Sequence, residues 1–409
     1  VLVIGRWTVV HSLSPLPFGT SVEADMHSYN IHGHGRMIAD RNRVDAYARA
    51  LRQAIQPGSV VAEIGTGIGI FGLLACQLGA RRVYAIESDD IVQVAREIAA
   101  TSGWAERIEF IQGLSMQVSL PERADVVISD LRGLLPWFEH HIPAIADARR
   151  RFLAPGGVLI PQRDTLWAAV VEAPEHYGLL VGPWAENQFG YDLRPARRIS
   201  TNTWQKARVS PEQLLTEPQC CGTLDYATLE EPDFATELTC KVARAGTASG
   251  LLVWFDSILA ENVQFSNSPW ADELIYGSAL FPWSEETSLC LGDTLCVGLA
   301  AHLVGKDYVW RWETRVFHQG NQSEMKAHFQ QSSFFGVPLS SERLRKLDAS
   351  HAPRLNEEGQ IDQFILAGMD GRTSLRVLAD RLAERFPNRF ASWKSALDHI
   401  VKLSQKYSR

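Results

Sequence analysis

Three glycines and two carboxylates, at fixed spacing, carry the most chemistry in this chain. The stretch Val60-Val-Ala-Glu-Ile-Gly-Thr-Gly-Ile-Gly-Ile-Phe-Gly72 reads as a buried strand, a glycine-rich turn and a helix start. Glycine lacks a Cβ and accepts positive φ, so such a turn brings backbone N–H groups close to a nucleotide-like ligand. Further on, Val83-Tyr-Ala-Ile-Glu-Ser88 is a second short apolar strand that ends in a carboxylate. A carboxylate there can accept both hydroxyls of a ribose. Loop and carboxylate together describe one nucleoside-binding pocket, with Glu63, Gly65, Gly67, Gly69, Glu87 and Ser88 as its candidate residues.

The glycines fit two templates. Gly67, Gly69 and Gly72 match the dinucleotide fingerprint G-x-G-x-x-G. Gly65, Gly67 and Gly69 match the looser E/D-x-G-x-G-x-G loop of proteins that bind S-adenosylmethionine (SAM). Glu63 separates the two. A carboxylate two residues before the first glycine would repel a pyrophosphate, whereas it suits the ammonium of a methionine moiety, directly or through water. The residues favour SAM, with NAD as the alternative.

The surrounding elements are those such a loop needs. A helical pattern runs from Arg36 to Ile55 and ends at Pro57-Gly58. Strands at 60–64, 82–86, 107–111, 124–128 and 157–160 alternate with helices near 69–79, 90–102 and 140–152. That alternation predicts a parallel sheet with helices on both faces. Past Pro161 short β-like segments dominate: Thr165 to Val171, Leu224 to Thr228, Ala235 to Ala243, Gly250 to Asp256, Asp293 to Ala301 and Asp307 to Phe317. They predict a β-sandwich or barrel. Gln188 to Pro218 reads as an insertion with some helix near Pro211 to Leu215. After a polar linker, Ser350 to Gly359, apolar spacing predicts a small three-helix or winged-helix unit.

Bulk properties narrow the class. A length of 409 residues predicts two or three domains, and 45% hydrophobic with 21% charged residues fits a soluble globular chain. The net charge of −7 argues against bulk attraction to nucleic acid, although Ser341 to Arg409 carries +4 and the remainder −11. Six cysteines form no C-x-x-C pair, so neither a metal site nor a disulfide framework is predicted, in keeping with a reducing cytoplasm. No apolar run approaches the roughly 20 residues needed to span a bilayer. The apolar segment Val1 to Val10 lacks a basic leader, so it is not read as a signal peptide, and the absent initiator Met leaves a trimmed or incomplete chain open.

The order helix, SAM-type domain and β-barrel resembles the protein arginine N-methyltransferase family. His34-Gly-Arg-Met37-Ile-Ala-Asp40-Arg-Asn-Arg43 resembles the family's H-x-x-M-L-x-D-x-x-R helix. Gly79-Ala-Arg-Arg-Val-Tyr-Ala-Ile-Glu87, Leu153-Ala-Pro-Gly-Gly-Val-Leu-Ile-Pro161, Phe189-Gly-Tyr-Asp192 and Phe265-Ser-Asn-Ser-Pro269 resemble four further family motifs, so the likeness runs in order over residues 28–320. It implies a Rossmann-like SAM-binding domain followed by a β-barrel-like domain. It divides the chain into an N-terminal segment with a cofactor-covering helix (1–57), the SAM domain (58–161), a substrate and dimerisation domain (162–335) and a helical module (355–409). The implied activity is methyl transfer from SAM to a side-chain nitrogen of a protein or peptide, leaving S-adenosylhomocysteine, in a homodimer. The alternatives are a small-metabolite or non-arginine acceptor on the same fold, or a scaffold that binds SAM or a peptide without turnover.

The resemblance also assigns residues. His34, Met37 and Arg43 would cover the cofactor, with Arg43 on its carboxylate; Ser115 and Met116 would meet its adenine. The family grips the substrate guanidinium with two glutamates. The corresponding loop here is Ser129-Asp130-Leu-Arg132-Gly133-Leu-Leu-Pro136-Trp137-Phe138-Glu139-His140, which makes Asp130 and Glu139 the catalytic candidates. Aspartate is shorter by one C–C bond, about 1.5 Å, where site geometry tolerates about 0.5 Å. Arg132 adds a cation that would repel a second guanidinium, or tether Glu139 or a substrate carboxylate. The family's threonine-histidine-tryptophan motif is replaced by Leu274-Ile275-Tyr276, its N-terminal aromatic pair by Asp25-Met26 near Ser28-Tyr29, and Met116 stands where an acid is usual. The neighbours His140 and His141 are read as surface residues. Finally, Asp362 to Ala379 resembles the helical half of PqqD-like domains, which bind a leader peptide by adding a strand.

Overall fold

A strand flanked by other strands and covered by helices on both faces must be apolar along its whole length. Val60–Ile64 meets that demand and is buried at every position, with only Glu63 interrupting the apolar run. The computed structural model describes residues 30–185, 190–319, 321–338 and 340–408. The expectations for residues 1–29 and for Gln188 and Phe189 lie outside these.

The first layer contains α1 (Ile31–Ala39), α2 (Arg41–Ala54), β1 (Val60–Ile64), α3 (Ile70–Gln77), β2 (Arg82–Glu87), α4 (Val92–Thr101), β3 (Ile108–Gln112), β4 (Ala124–Ser129), α5 (His141–Arg151) and β5 (Leu153–Ile160). The strands are parallel, in the order β3-β2-β1-β4-β5. The order reverses between β1 and β4, and a crevice opens at the carboxyl ends of strands where this happens. Gly65 follows β1 and Asp130 follows β4, so both stand at that crevice.

The single helix expected over Arg36–Ile55 is two. Asp40 (φ −71°, ψ 85°) ends α1, and its Oδ1 accepts the Arg43 N–H at 3.0 Å to cap α2. Aspartate competes for nearby backbone donors, which makes it a poor interior residue and a good cap. Its other oxygen accepts the Ile275 N–H at 2.8 Å. The helix break and the segment before Tyr276 are therefore locked together.

The β part contains β6 (Arg163–Val171), α6 (Pro174–Ala185), α7 (Arg194–Ser200), β7 (Gln205–Ala207), β8 (Gln219–Asp225), β9 (Phe234–Lys241), β10 (Gly246–Ala260), β11 (Val263–Ser266), β12 (Ser278–Leu289), β13 (Thr294–Val304), β14 (Asp307–His318) and β15 (Asn321–Ser332). One antiparallel sheet runs β7-β12-β10-β6-β8 with β11 paired to β10; a second runs β15-β14-β13-β9. Phe281 and Trp283 of β12 pack with Trp310, Trp312 and Phe329 of the second sheet.

Several elements differ from expectation. The helix expected near Pro211–Leu215 is one 3-10 turn, Pro211–Gln213, and the insertion's helix is α7. The strand expected from Leu224 to Thr228 begins at Gln219 and ends at Asp225. β7, β11, β12 and β15 were not expected. Pro282 hides β12, because proline is rarely found inside a paired strand. It sits where the β10–β12 register shifts, and its carbonyl accepts the Trp312 indole N–H at 3.0 Å.

The chain divides into two compact units, residues 1–338 and 339–409. The second holds α8 (Ser341–Leu347), α9 (Glu357–Gly368), α10 (Leu375–Arg385) and α11 (Trp393–Tyr407). Ile361, Ile365, Leu378, Leu382 and Ile400 form its core, and the Ser374 side chain caps α10 by accepting the Val377 N–H. The PqqD-like reading does not hold. The described residues of this unit contain no strand, and capture by strand addition needs an open sheet edge. Among the described residues no helix is long and apolar enough to cross a membrane, and no acidic, histidine or cysteine cluster is placed to hold a metal. All six cysteines are free thiols.

Candidate functional site

A cavity of about 610 Å³ lies at the carboxyl ends of β1, β2 and β4, within the range of small-molecule sites. Its floor is the glycine loop, where Gly65 (φ 71°), Gly67 (φ 54°) and Gly69 (φ 84°) all take left-handed conformations; Gly65 and Gly67 line the cavity, whereas Gly69, expected beside them, starts α3 and faces Ala95 and Phe110 instead. A Cβ on Gly65 would stand 2.3 Å from Leu131 Cδ2, and one on Gly67 would stand 2.9 Å from the His34 ring. The loop is therefore pressed between the β4 loop on one side and α1 on the other.

Glu63 lies beneath the loop, 3% exposed, with its Oε2 accepting the Thr66 hydroxyl at 2.6 Å. Burial is the largest influence on it and raises its pKa from the ordinary 4.5 to about 7, against the opposing hydrogen bonds from Thr66 and the Gly72 N–H. The folded state thus binds this proton more tightly than the unfolded chain. The resulting stability is complete below about pH 4.5 and is lost as pH rises through about 7. Glu63→Gln should remove that slope. Urea unfolding at pH 5 and pH 8 should show a wild-type loss larger than the variant's, by a difference on the order of 3 kcal/mol; equal slopes would exclude a buried, proton-binding Glu63.

The other expected binding residues also border the cavity. Glu87 closes β2; its Oε2 accepts the Gly67 N–H at 2.9 Å and its Oε1 the Asp89 N–H at 3.0 Å, which fixes the loop against the strand end. Ser88 is exposed beside it. Ser115 and Met116 form a one-turn 3-10 helix on the far wall, with Ser115 buried and Met116 half-buried. The Ser115 carbonyl is already taken by Arg151 Nη2 at 2.8 Å. His34 and Met37, from α1, cover the cavity.

The acceptor end departs from the paired-carboxylate picture. Arg43, expected toward a cofactor, binds Asp130: its Nε and Nη2 lie 2.6 and 2.5 Å from Asp130 Oδ2. Its Nη1 donates to the Met37 carbonyl at 3.2 Å. The Tyr276 hydroxyl lies 2.8 and 2.6 Å from the two Asp130 oxygens, and Arg132 Nε is 3.4 Å from Oδ1. A carboxylate has about four acceptor positions, so these groups saturate Asp130. Burial alone would raise its pKa, yet Arg43, then Arg132 and Tyr276, hold it below the usual carboxylate range.

Arg132 tethers neither Glu139 nor an open site. Its side chain is fully buried, with Nη1 2.8 Å from Asp164 Oδ1 and 2.6 Å from the Ser257 hydroxyl, and Nη2 2.5 Å from the Tyr47 hydroxyl. The guanidinium also lies over the Phe255 and Phe265 rings at 5.3 and 5.2 Å. Tyr226 donates to Asp164 Oδ2 at 2.6 Å and meets His141 Nε2 at 2.9 Å. Two arginines and two aspartates therefore cancel in a dry network.

Glu139 is different. Among the described residues it has no hydrogen-bond or ion-pair partner, and it borders the cavity half-buried. Its φ of 42° is a left-handed conformation that costs energy in a non-glycine residue and is found disproportionately at functional sites. The loop that carries it is anchored by buried Trp137, whose ring lies 4.5 Å from Phe234 and 6.2 Å from Trp310. His140 borders the cavity at the start of α5. His141, expected at the surface, is buried instead, because α5 turns its first residue toward Tyr226.

Sequence reading missed Tyr47, Asp164, Tyr226 and Ser257. The one local signal was at Asp164, which follows Arg163 at the start of β6 and is buried in a strand whose remainder is mostly apolar. Tyr276 was noticed only as the place where a histidine is missing.

Residues 47–161 match the family model of ribosomal protein L11 methyltransferase (PrmA), and residues 162–335 that of the arginine methyltransferase oligomerization subdomain. The chain is 31% identical over 257 residues to the probable protein arginine N-methyltransferase 6 of Arabidopsis thaliana, covering 59% of this chain and 58% of that protein. It is 27% identical over 282 residues to protein arginine N-methyltransferase 1 of Dictyostelium discoideum, covering 65% of this chain and 82% of that protein. The fold matches the crystal structure of Arabidopsis thaliana protein arginine methyltransferase 10 with a TM-score of 0.65 at 21% identity, over 74% of this chain and 98% of that one. It matches the Trypanosoma brucei PRMT1 enzyme–prozyme heterotetramer with AdoHcy with a TM-score of 0.66 at 20% identity, over 75% and 98%.

Proposed function

Because the chain belongs to the protein arginine N-methyltransferase family, we propose that it transfers a methyl group from SAM to a side-chain nitrogen of a protein or peptide. The observation that carries this reading is Glu139, a carboxylate with no partner among the described residues, held in a left-handed conformation beside a nucleoside-sized cavity. The residues present fit the cofactor. Glu87 would hold the ribose hydroxyls and Glu63, once ionised, the ammonium group. Guanidinium has five N–H donors; Arg43 commits three to Asp130, Tyr276 and Met37, which leaves two for a carboxylate. Ser115 and Met116 would flank the adenine, and His34 and Met37 would cover the ligand.

SAM would supply an electrophilic methyl on a sulfonium: with a nitrogen lone pair held in line, the new C–N bond would form as the C–S bond breaks, with S-adenosylhomocysteine as the leaving group. Glu139 orients the acceptor and stabilises the positive charge that develops on it. Tyr47 and Phe71, stacked 4.7 Å apart beside Arg43, keep water from the junction between the two halves of the site. Asp130 acts through Arg43: it fixes the guanidinium and does not itself reach a substrate. That saturation supports a second reading, a non-arginine acceptor or a small metabolite on the same fold, because one free carboxylate does not clamp a guanidinium from both sides.

The test is product analysis after incubation with isotopically labelled SAM and a proteome-derived peptide library. Methylarginine supports the first reading and another methylated residue the second. SAM binding without transfer contradicts both and leaves a scaffold. The match to an oligomerization subdomain supports a homodimer, and a monomer by light scattering at micromolar concentration would contradict it.

A further inference from the structure

The described residues that border the cavity all lie between Asn30 and Ala144, with one exception. Lys306 reaches it from the β part, at the turn between β13 and β14. Val304 pairs with Asp307, so Gly305 and Lys306 alone make that turn. Gly305 takes φ 67°, the left-handed backbone that a two-residue hairpin demands of its first central residue. The tip is therefore short, and a lysine side chain projects from it.

The hairpin is held at its base. Asp233 Oδ1 accepts the Leu303 N–H at 2.9 Å, and its Oδ2 lies 3.1 Å from His302 Nδ1. The Tyr308 hydroxyl donates to the Pro232 carbonyl at 3.0 Å. Next along, Phe234, Ala301 and Trp310 stand side by side across β9, β13 and β14. Phe234 and Trp310 are the two rings that pack on Trp137, at 4.5 and 6.2 Å. One aromatic cluster thus joins the Glu139 loop to the strands that carry Lys306, and sets both at the acceptor end.

Lys306 is exposed and, among the described residues, has no hydrogen-bond or ion-pair partner. A lysine at a hairpin tip is usually just solvated. This one differs in position, because it is the β part's sole contribution to a cavity whose acceptor end already carries Glu139. A carboxylate and an ammonium at one mouth suit a ligand with both charges, a cationic acceptor for Glu139 and an anion for Lys306. A peptide with further cations beside its acceptor would meet repulsion there. The cofactor's carboxylate has Arg43, which keeps two N–H donors for it.

We propose that Lys306 is a specificity-determining residue that binds an acidic side chain next to the methyl-accepting residue, so that the substrates are acid-flanked peptides and not arginine-rich ones. This rests on the transferase reading above and narrows its substrate class. Lysine is a compact charge on a flexible stem, so the contact tolerates an acid on either side of the acceptor.

The test compares wild type, Lys306→Gln and Lys306→Glu in label transfer from SAM to two matched peptide pools. The pools differ only in whether glutamate or glutamine flanks the arginine or lysine acceptor. SAM Kd is measured alongside. Lys306 stands in an exposed turn and breaks no contact when replaced, so folding is preserved. Wild type is expected to favour the glutamate pool by about two- to fivefold in kcat/KM, the worth of one exposed ion pair. The preference should lie in KM and fade at an ionic strength of about 1 M. It should vanish in Lys306→Gln and invert in Lys306→Glu, with SAM Kd unchanged in both. Equal use of the two pools by wild type, a glutamate preference that survives in Lys306→Glu, an equal loss on both pools, or weakened SAM binding in the variants would each overturn the inference. If wild type labels neither pool, the transferase reading fails and the inference with it. If wild type labels both pools equally, only the inference fails.

Discussion

Replacing Glu139 by glutamine is expected to lower methyl transfer by about 10²–10³-fold in kcat, with SAM Kd unchanged. Glutamine keeps the size and one oxygen of the side chain but removes the charge. The effect should be large because, among the described residues, no other carboxylate at the acceptor end is without a partner: Asp130 is held by Arg43, Arg132 and Tyr276. Its partner-free state also means that the substitution breaks no contact among the described residues, so unfolding should not obscure the result. Steady-state kinetics with labelled SAM and calorimetric SAM titration would measure the two quantities separately. A variant with near wild-type kcat would remove Glu139 from the chemistry.

Arg132→Met is expected to destabilise the first unit by about 3–5 kcal/mol, the usual cost of removing one partner from a buried ion pair. Asp164, 1% exposed, would be left with Tyr226 as its remaining side-chain partner, the Ser257 hydroxyl would lose its bond to the guanidinium, and Tyr47 would keep only the Ser129 carbonyl. Arg132→Met combined with Asp164→Val should recover most of the loss, because replacing both partners with apolar groups is often neutral or better. Urea unfolding midpoints of the three proteins would decide it. Equal stability of wild type and the single variant would mean that the pair is not desolvated as the packing over Phe255 and Phe265 requires.

The legible parts of this protein are those whose cause is local. The glycine loop announces itself because left-handed backbone at Gly65, Gly67 and Gly69 needs glycine, and the alternation of short apolar strands with helices fixes a parallel sheet around it. Asp40 was visible as part of a motif, but its work as the break between two helices depends on Ile275, far along the chain. The network at Arg132 was illegible for the same reason. Its partners Tyr47, Asp164 and Ser257 come from α2, β6 and β10, and in sequence Arg132 reads only as a misplaced cation. His141 was read as exposed because helix starts usually are; the Tyr226 hydroxyl that draws it inward follows β8. The β domain was undercounted where Pro282 and the pair Glu285-Glu286 break the apolar alternation of β12.

The structure of the chain crystallised with S-adenosylhomocysteine is the most direct test of the account. The expected result is the ligand in the cavity, its ribose on Glu87 and its ammonium within hydrogen-bond reach of Glu63. A cavity that takes up no such ligand, or that binds a nicotinamide coenzyme in its place, would contradict it.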